Sequence, residues 1–104
     1  MSSRPELLSI IVPVYNEVRT VLAVIDRLQA IDLPVAREIL VVNDGSTDGT
    51  REVLDGAGIR DSGSGIRIIH AERNAGKGAA IRLGLSASTG TIVAIQDADL
   101  ELDP

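Results

Sequence analysis

The chain has 104 residues, of which 44% are hydrophobic, and it carries a net charge of −5 from ten basic and fifteen acidic side chains. There is no basic stripe, and Tyr15 is the only residue among Phe, Trp and Tyr, so the composition predicts no nucleic-acid partner. The absence of cysteine excludes disulfides, thiolate metal sites and thiol catalysis.

Apolar runs alternate with segments of helical periodicity along the chain. Strands are predicted at residues 7–14, 37–42, 66–69 and 91–95, and a flexible loop at residues 56–65, which hold four glycines. Helices are predicted at residues 18–31, from Ser46 or Asp48 to residue 54, and at residues 76–87. The first helix would bury residues 18, 21, 22, 25, 28 and 31, and the third would present Ala79, Ala80, Leu83 and Ala87 on one side. This order predicts an α/β fold with a Rossmann-like, open, mainly parallel sheet and flanking helices.

Polar residues collect where the predicted strands end. The four ends carry Tyr15-Asn16-Glu17, Asn43-Asp44-Gly45, a loop from Glu72 to Gly78, and Asp97-Ala98-Asp99. Because ligands of open α/β sheets bind outside the carboxyl ends of the strands, these segments predict one binding site.

Three acidic residues follow the last strand at alternate positions. Asp97, Asp99 and Glu101 would point the same way on an extended backbone, where their mutual repulsion calls for a cation. Carboxylate oxygens suit Mg²⁺ or Mn²⁺, so a metal site is predicted here. The alternative is an exposed acidic turn.

Other candidate residues have structural explanations beside functional ones. Asp44 could accept hydrogen bonds from a base or ribose, or simply belong to a turn. Tyr15 could stack on a base or lie at a boundary, and Glu17 could serve the site or begin a helix. Lys77 lies between two glycines and could contact a phosphate or be a solvated lysine, while His70 is interpreted as structural.

Two other nucleotide-binding motifs do not fit the spacing. A dinucleotide-binding domain needs G-x-G-x-x-G after its first strand, where this chain has Pro-Val-Tyr-Asn-Glu. A P-loop needs an earlier glycine and a Ser or Thr after the lysine, where this chain has Ala71 and Gly78.

Four ordered motifs resemble glycosyltransferase family 2, whose members have the GT-A fold. They read I-I-V-P-V-Y-N-E, I-L-V-V-N-D-G-S-T-D, N-A-G-K-G-A-A-I-R-L-G and I-Q-D-A-D-L-E. The group most resembled is the polyprenyl-phosphate (dolichyl-phosphate) mannose or glucose synthases. Asn43 stands where many relatives carry an acid, and Glu101 where this group often has Gln.

The resemblance implies roles for the matching residues. Those matching Pro13, Tyr15 and Glu17 line the nucleotide pocket, and those matching Val42 and Asp44 contact the base and ribose. The lysine matching Lys77 lies near the donor. The segment matching Asp97, Ala98 and Asp99 handles the sugar-nucleotide diphosphate, and Asp97, Asp99 and Glu101 are the implied ligands of Mg²⁺ or Mn²⁺.

The implied activity is inverting transfer of a hexose from a UDP- or GDP-sugar to a polyprenyl phosphate or a saccharide. We expect residues 1–104 to be the N-terminal donor-binding part of a GT-A domain, truncated after the D-x-D motif, inactive alone and without its general base. We also expect a cytoplasmic location, peripheral to the membrane face, and self-association through exposed sheet edges. The alternatives are a sugar-1-phosphate nucleotidyltransferase and a non-catalytic nucleotide-binding module.

Overall fold

The computed structural model describes residues 6–56 and 65–98, which form four strands and three helices. The strands are β1 (Leu7–Val14), β2 (Ala36–Asn43), β3 (Ile66–His70) and β4 (Ile92–Ile95). The helices are α1 (Val21–Ala30), α2 (Thr50–Gly56) and α3 (Lys77–Ala87). The order of elements confirms the prediction, while most of the loop predicted at residues 56–65 lies outside the described residues.

The strands form one parallel sheet in the order β3-β2-β1-β4. Leu7 pairs with Ala36 of β2, and Leu8 pairs with Ile92 of β4. The chain therefore builds the sheet outward from β1 to β3 and then returns to the other side of β1. This reversal creates a switch point between β1 and β4, where doubly wound sheets bind their ligands.

Helix α1 begins later than predicted and buries a narrower face. The predicted start at residue 18 is wrong: residues 18–20 form a turn, in which the Glu17 carbonyl accepts hydrogen bonds from the amides of Thr20 and Val21. Leu22 and Ile31 were expected on the buried face but are 36% and 41% exposed. The buried stripe follows the helical spacing of the side chains that face the sheet: Val21, Val24, Ile25 and Leu28.

Side chains alternate between the two faces of the sheet and so form two apolar clusters. The larger cluster lies under α1 and α2 and includes Ile10, Val12, Val41 and Leu54. The smaller cluster lies under α3; its members are Ile11, Leu40, Val42 and Ala80. This period of two along buried strands is the pattern expected of a sheet covered on both faces.

Helix α3 approaches the sheet through its smallest residues. Ala80 and Gly84 are buried, and a Cβ on Gly84 would lie 2.6 Å from Cγ2 of Ile11. Leu83, predicted on the apolar side, is instead 42% exposed. That prediction is wrong because the absence of a Cβ on Gly84 brings the helix backbone close to β1, which turns Leu83 away from the sheet.

A hydrogen-bonded carboxylate ties the strands together at the end opposite the predicted site. Glu38 accepts hydrogen bonds from the Ser9 hydroxyl (2.5 Å) and the Thr89 amide (2.6 Å), and its other oxygen lies 3.2 Å from Nη2 of Arg67. Burial opposes ionisation of Glu38. The hydrogen bonds from Ser9 and Thr89 and the charge of Arg67 outweigh burial and lower its pKa below the ordinary 4.5.

Among the strands that the structure describes, β4 pairs only with β1, and it is exposed along its length. Ile92, Val93 and Ile95 are 45%, 41% and 50% exposed, so both faces of this edge strand present aliphatic side chains. Within residues 6–56 and 65–98, no helix has the length and hydrophobicity needed to cross a bilayer.

Candidate functional site

An open cavity of about 390 Å³ lies at the carboxyl ends of the strands, at the switch point between β1 and β4. Its walls come from the ends of all four strands or the segments that follow them. The lining residues are Pro13, Val14, Tyr15, Glu17, Asp44, Asn74, Gly76, Lys77, Ala80, Asp97 and Ala98. The convergence that the strand-end argument predicted is therefore present.

The first wall is a turn after β1 that is fastened to the turn after β2. Asn16 has a positive φ of 55°, a conformation that Asn adopts more readily than most residues. Its amide donates to Oγ of Ser46 (2.9 Å), and its side-chain oxygen accepts from the Thr47 amide (2.8 Å). These bonds fix the turn that carries Tyr15, which is 46% exposed, and Glu17.

The turn after β2 is also fastened to the start of α2. The Thr50 hydroxyl accepts a hydrogen bond from the Glu17 amide (3.1 Å) and donates to Asp48 (2.5 Å). Of the two predicted capping residues, Asp48 accepts a hydrogen bond from the Thr50 amide (3.0 Å). Burial slightly opposes the charge on Asp48, but the hydrogen bonds from Thr50 and Val18 dominate and lower its pKa below 3.8.

Asp44 holds the loop that carries Lys77. Its two carboxylate oxygens accept hydrogen bonds from the backbone amides of Ala75 and Gly76, both at 2.9 Å. The residue is only 4% exposed. Because hydrogen bonds to a carboxylate are among the stronger ones, this pair fixes the entry into α3 at a defined distance from β2.

The same loop passes directly over Gly45. Gly45 has a φ of +70°, and a Cβ there would lie 2.6 Å from the carbonyl carbon of Arg73. The Ala71 amide donates to the Asn43 carbonyl at 2.8 Å, which continues the contact toward β3. Only a glycine combines this backbone conformation with so close an approach.

Lys77 and Asp97 both line the cavity and form an ion pair. Nζ of Lys77, the first residue of α3, lies 2.5 Å from Oδ1 of Asp97, which follows β4. Their side chains are 58% and 57% exposed. The ammonium of Lys77 therefore lies against the carboxylate that the sequence predicts as a metal ligand.

The segment after β4 is anchored to β1 and to Thr20, the residue before α1. The Gln96 amide donates to the carbonyl of Ile11 (2.9 Å), and the Thr20 hydroxyl donates to the carbonyl of Ala98 (2.7 Å). Ala98 is 3% exposed and packs in the larger apolar cluster. These contacts hold Asp97 at the rim of the cavity.

His70 lies in a hydrogen-bonded chain behind the site. Its Nδ1 is 3.0 Å from Nδ2 of the Asn43 side chain, and its Nε2 is 2.9 Å from Oδ1 of Asp55. Since Oδ1 of Asn43 accepts the Ser46 amide (3.2 Å) and hydroxyl (2.5 Å), the Asn43 NH₂ group donates to His70. His70 does not line the cavity and instead braces the turn after β2.

The cavity collects most of the predicted site residues. Val42 is an exception, because its side chain is 0% exposed in the smaller apolar cluster and does not line the cavity. Asp99 and Glu101 lie outside the described residues. Within the described ranges, no three His, Cys, Asp or Glu side chains are grouped to hold a metal, and Asp97 is the described member of the predicted ligand set.

Sequence reasoning did not single out several residues that build the cavity. Asn74 and Gly76 line it, while Asn16 and Thr20 orient its walls from behind. Asn16 could have been recognised as a turn residue, since a lone Asn at a strand end favours a positive φ. Thr20 could not have been recognised, because its partner Ala98 is remote in the sequence.

Comparisons with known proteins agree with this geometry. The family model described as "Glycosyl transferase family 2" matches residues 9–104. An undecaprenyl-phosphate 4-deoxy-4-formamido-L-arabinose transferase from Pseudomonas aeruginosa is 40% identical over 95% of this chain and 30% of its own length. A dodecaprenyl-phosphate galacturonate synthase from Rhizobium johnstonii is 35% identical over 93% of this chain and 29% of its own length.

A solved structure has a similar fold. A mannosyltransferase from Pyrobaculum calidifontis, in complex with GDP-Man and Mn²⁺, superposes with a TM-score of 0.82 at 31% identity. The match covers 94% of this chain and 28% of that one. The chain thus spans about 30% of the length of the curated relatives that it matches.

Proposed function

The chain belongs to glycosyltransferase family 2, and on that premise we propose that it is the donor-binding part of an inverting glycosyltransferase. The donor is a UDP- or GDP-sugar. The observation that carries the proposal is the cavity at the switch point, where Lys77 and Asp97 stand beside the loop held by Asp44. An ammonium and a carboxylate at the carboxyl ends of parallel strands suit a diphosphate and its counter-ion.

The acceptor proposed is a polyprenyl phosphate. Both curated relatives carry a polyprenyl phosphate in their names, and a phosphate acceptor is already anionic, so it needs no general base to activate it. Such an acceptor would place the cavity at the cytoplasmic face of a membrane. The matched segment is about 30% of each relative, and we propose that the acceptor is bound by residues outside it.

Each wall of the cavity has a role in this proposal. Tyr15 offers an exposed ring for the base, and Asp44 fixes the loop that brings Lys77 to the diphosphate. Lys77 supplies a positive charge against the phosphate oxygens. Asp97, a hard oxygen donor that already attracts a cation, fits a divalent ion, and Asp99 and Glu101 are proposed to complete its ligands.

Mn²⁺ or Mg²⁺ bound there would offset the negative charge that develops on the departing nucleoside diphosphate. The chain's own contribution is to orient the donor and to keep its diphosphate between Lys77 and Asp97. The Mn²⁺ in the Pyrobaculum complex favours manganese as the first ion to test.

Calorimetric titration of UDP-glucose and GDP-mannose, with and without Mn²⁺, tests the proposal. We expect metal-dependent binding by the wild-type chain and its loss in Asp97→Ala. Asp26→Ala is the matched control, because it removes an exposed carboxylate from α1 outside the cavity lining. A folded wild-type chain that binds neither donor under any condition would refute the donor-site proposal and favour a non-catalytic module.

A further inference from the structure

The ion pair between Lys77 and Asp97 joins two separately anchored elements. The backbone before Lys77 is fixed by the hydrogen bonds from Ala75 and Gly76 to Asp44. The backbone after Asp97 is fixed by the hydrogen bond from Thr20 to Ala98. The two side chains therefore meet because of where the fold places their backbones, and both line the cavity.

An ammonium at 2.5 Å occupies the space in front of Oδ1 of Asp97. A divalent cation that coordinates this oxygen must first displace the lysine, because two cations cannot share the position without strong repulsion. We propose that Lys77 is the resident counter-ion of Asp97 in the nucleotide-free cavity and yields this carboxylate to a divalent cation when a nucleoside diphosphate binds. This inference rests on the proposed donor site and concerns how that site fills.

The exchange of partners couples the two ligands. Without nucleotide, a cation that binds at Oδ1 of Asp97 must break the ion pair, and one that binds at Oδ2 is repelled by the nearby Lys77 ammonium. When nucleotide is bound, Lys77 contacts the diphosphate oxygens, and its ion pair with Asp97 is already broken. By linkage, each ligand then raises the affinity for the other by the same factor. Part of the metal dependence of donor binding thus originates in Lys77.

The expected effect is modest because both side chains are more than half exposed, at 58% and 57%. Solvent-exposed ion pairs are weak, and breaking one corresponds to a change of about two- to fivefold in a binding constant. Salt should reduce the effect further, since exposed charges are screened.

The test measures Mn²⁺ binding to the 104-residue chain from the free-ion signal in electron paramagnetic resonance, alone and with saturating UDP or GDP. Nucleotide binding without metal is measured in parallel by calorimetry. Lys77→Gln removes the counter-ion, and Asp97→Asn shows whether the bound Mn²⁺ uses this carboxylate. Arg82→Gln is the matched control, because it removes a positive charge from α3 outside the cavity lining. Circular dichroism verifies that each variant is folded.

We expect Lys77→Gln to bind Mn²⁺ alone about two- to fivefold more tightly than wild type, with Arg82→Gln within twofold. The enhancement of Mn²⁺ affinity by nucleotide should shrink by the same factor in Lys77→Gln. Mn²⁺ affinity in Lys77→Gln that equals wild type, or an equal gain in Arg82→Gln, would overturn the inference. So would undetectable Mn²⁺ binding by every variant.

The parallel nucleotide titration separates the two proposals. If nucleotide binds but Lys77→Gln leaves both Mn²⁺ affinity and coupling unchanged, the counter-ion inference fails and the donor site stands. If no nucleotide binds to the folded chain, the donor site fails, and the exchange of Lys77 between carboxylate and diphosphate fails with it.

Discussion

The carboxylate of Asp44 offers the sharpest test of how the cavity is built. Asp44→Asn keeps the shape of the side chain but leaves one oxygen to receive the amides of Ala75 and Gly76, and its NH₂ group must face the other N–H. A buried donor left without a partner costs about 1–3 kcal/mol. Since Asp44 is 4% exposed, water has little access to the NH₂ group of the substituted side chain, and we expect a loss of this size in the free energy of unfolding.

Urea denaturation of the nucleotide-free chain measures that loss, with Glu72→Gln as a control that removes an equal charge from an exposed position on the same loop. If Asp44 served only to contact the base, the role that the family resemblance implies, Asp44→Asn would weaken nucleotide affinity and leave the nucleotide-free chain as stable as before. If Asp44→Asn unfolds within about 0.5 kcal/mol of wild type, the loop-holding role is refuted. If stability falls but nucleotide affinity is unchanged, the loop position does not matter for the donor.

Further substitutions test other contacts of the fold. Gly45→Ala should cost at least about 1–2 kcal/mol in thermal or urea unfolding, because its φ is +70° and the new Cβ would strike the backbone of Arg73; unchanged stability would contradict this. Thr20→Val should lose about 0.5–1.5 kcal/mol with the bond to Ala98 and weaken Mn²⁺ binding, and Thr20→Ser should restore both if the hydroxyl matters. For Glu38, whose folded pKa is depressed below 4.5, the stabilisation is complete above pH 4.5 and is lost as pH falls through the folded pKa. The advantage of wild type over Glu38→Gln in urea should therefore be larger at pH 7 than at pH 3, and a pH-independent difference would contradict the assignment.

The sequence predicted the sheet well because the strands are strongly apolar and separated by helical periodicity. A run such as residues 7–14 has few alternatives to a buried strand, and β1 occupies those residues. Helix faces were less predictable. Leu83 is apolar and fits the helical spacing of the predicted face, yet the close approach of Gly84 to Ile11 decides which residues meet the sheet. That approach depends on two side chains that are distant in the sequence.

The location of the cavity was predictable from the strand ends, but its internal contacts were not. Asp44 could be assigned to a turn or to a ligand, whereas its carboxylate binds amides 31 and 32 residues further along the chain. The family resemblance implies that Val42 contacts the nucleotide base or ribose, but its position in the strand directs the side chain into the apolar core. The contact of Lys77 with Asp97 likewise exists only once α3 and β4 have packed on opposite sides of the cavity.

The position of β4 has a consequence for amide exchange. This four-residue strand has one neighbour in the described part of the sheet and is exposed on both faces. Thr91 and Gln96 connect it by hydrogen bonds to a strand more than 80 residues earlier. Such a segment can open locally while the β1–β2 pair remains intact, so its amide hydrogens should exchange with solvent before those of the central strands. Asp97 therefore follows a part of the sheet that we expect to open before the central strands. A ligand bound at Asp97 would favour the state in which β4 is paired with β1. Its binding would be visible as slower hydrogen exchange along β4.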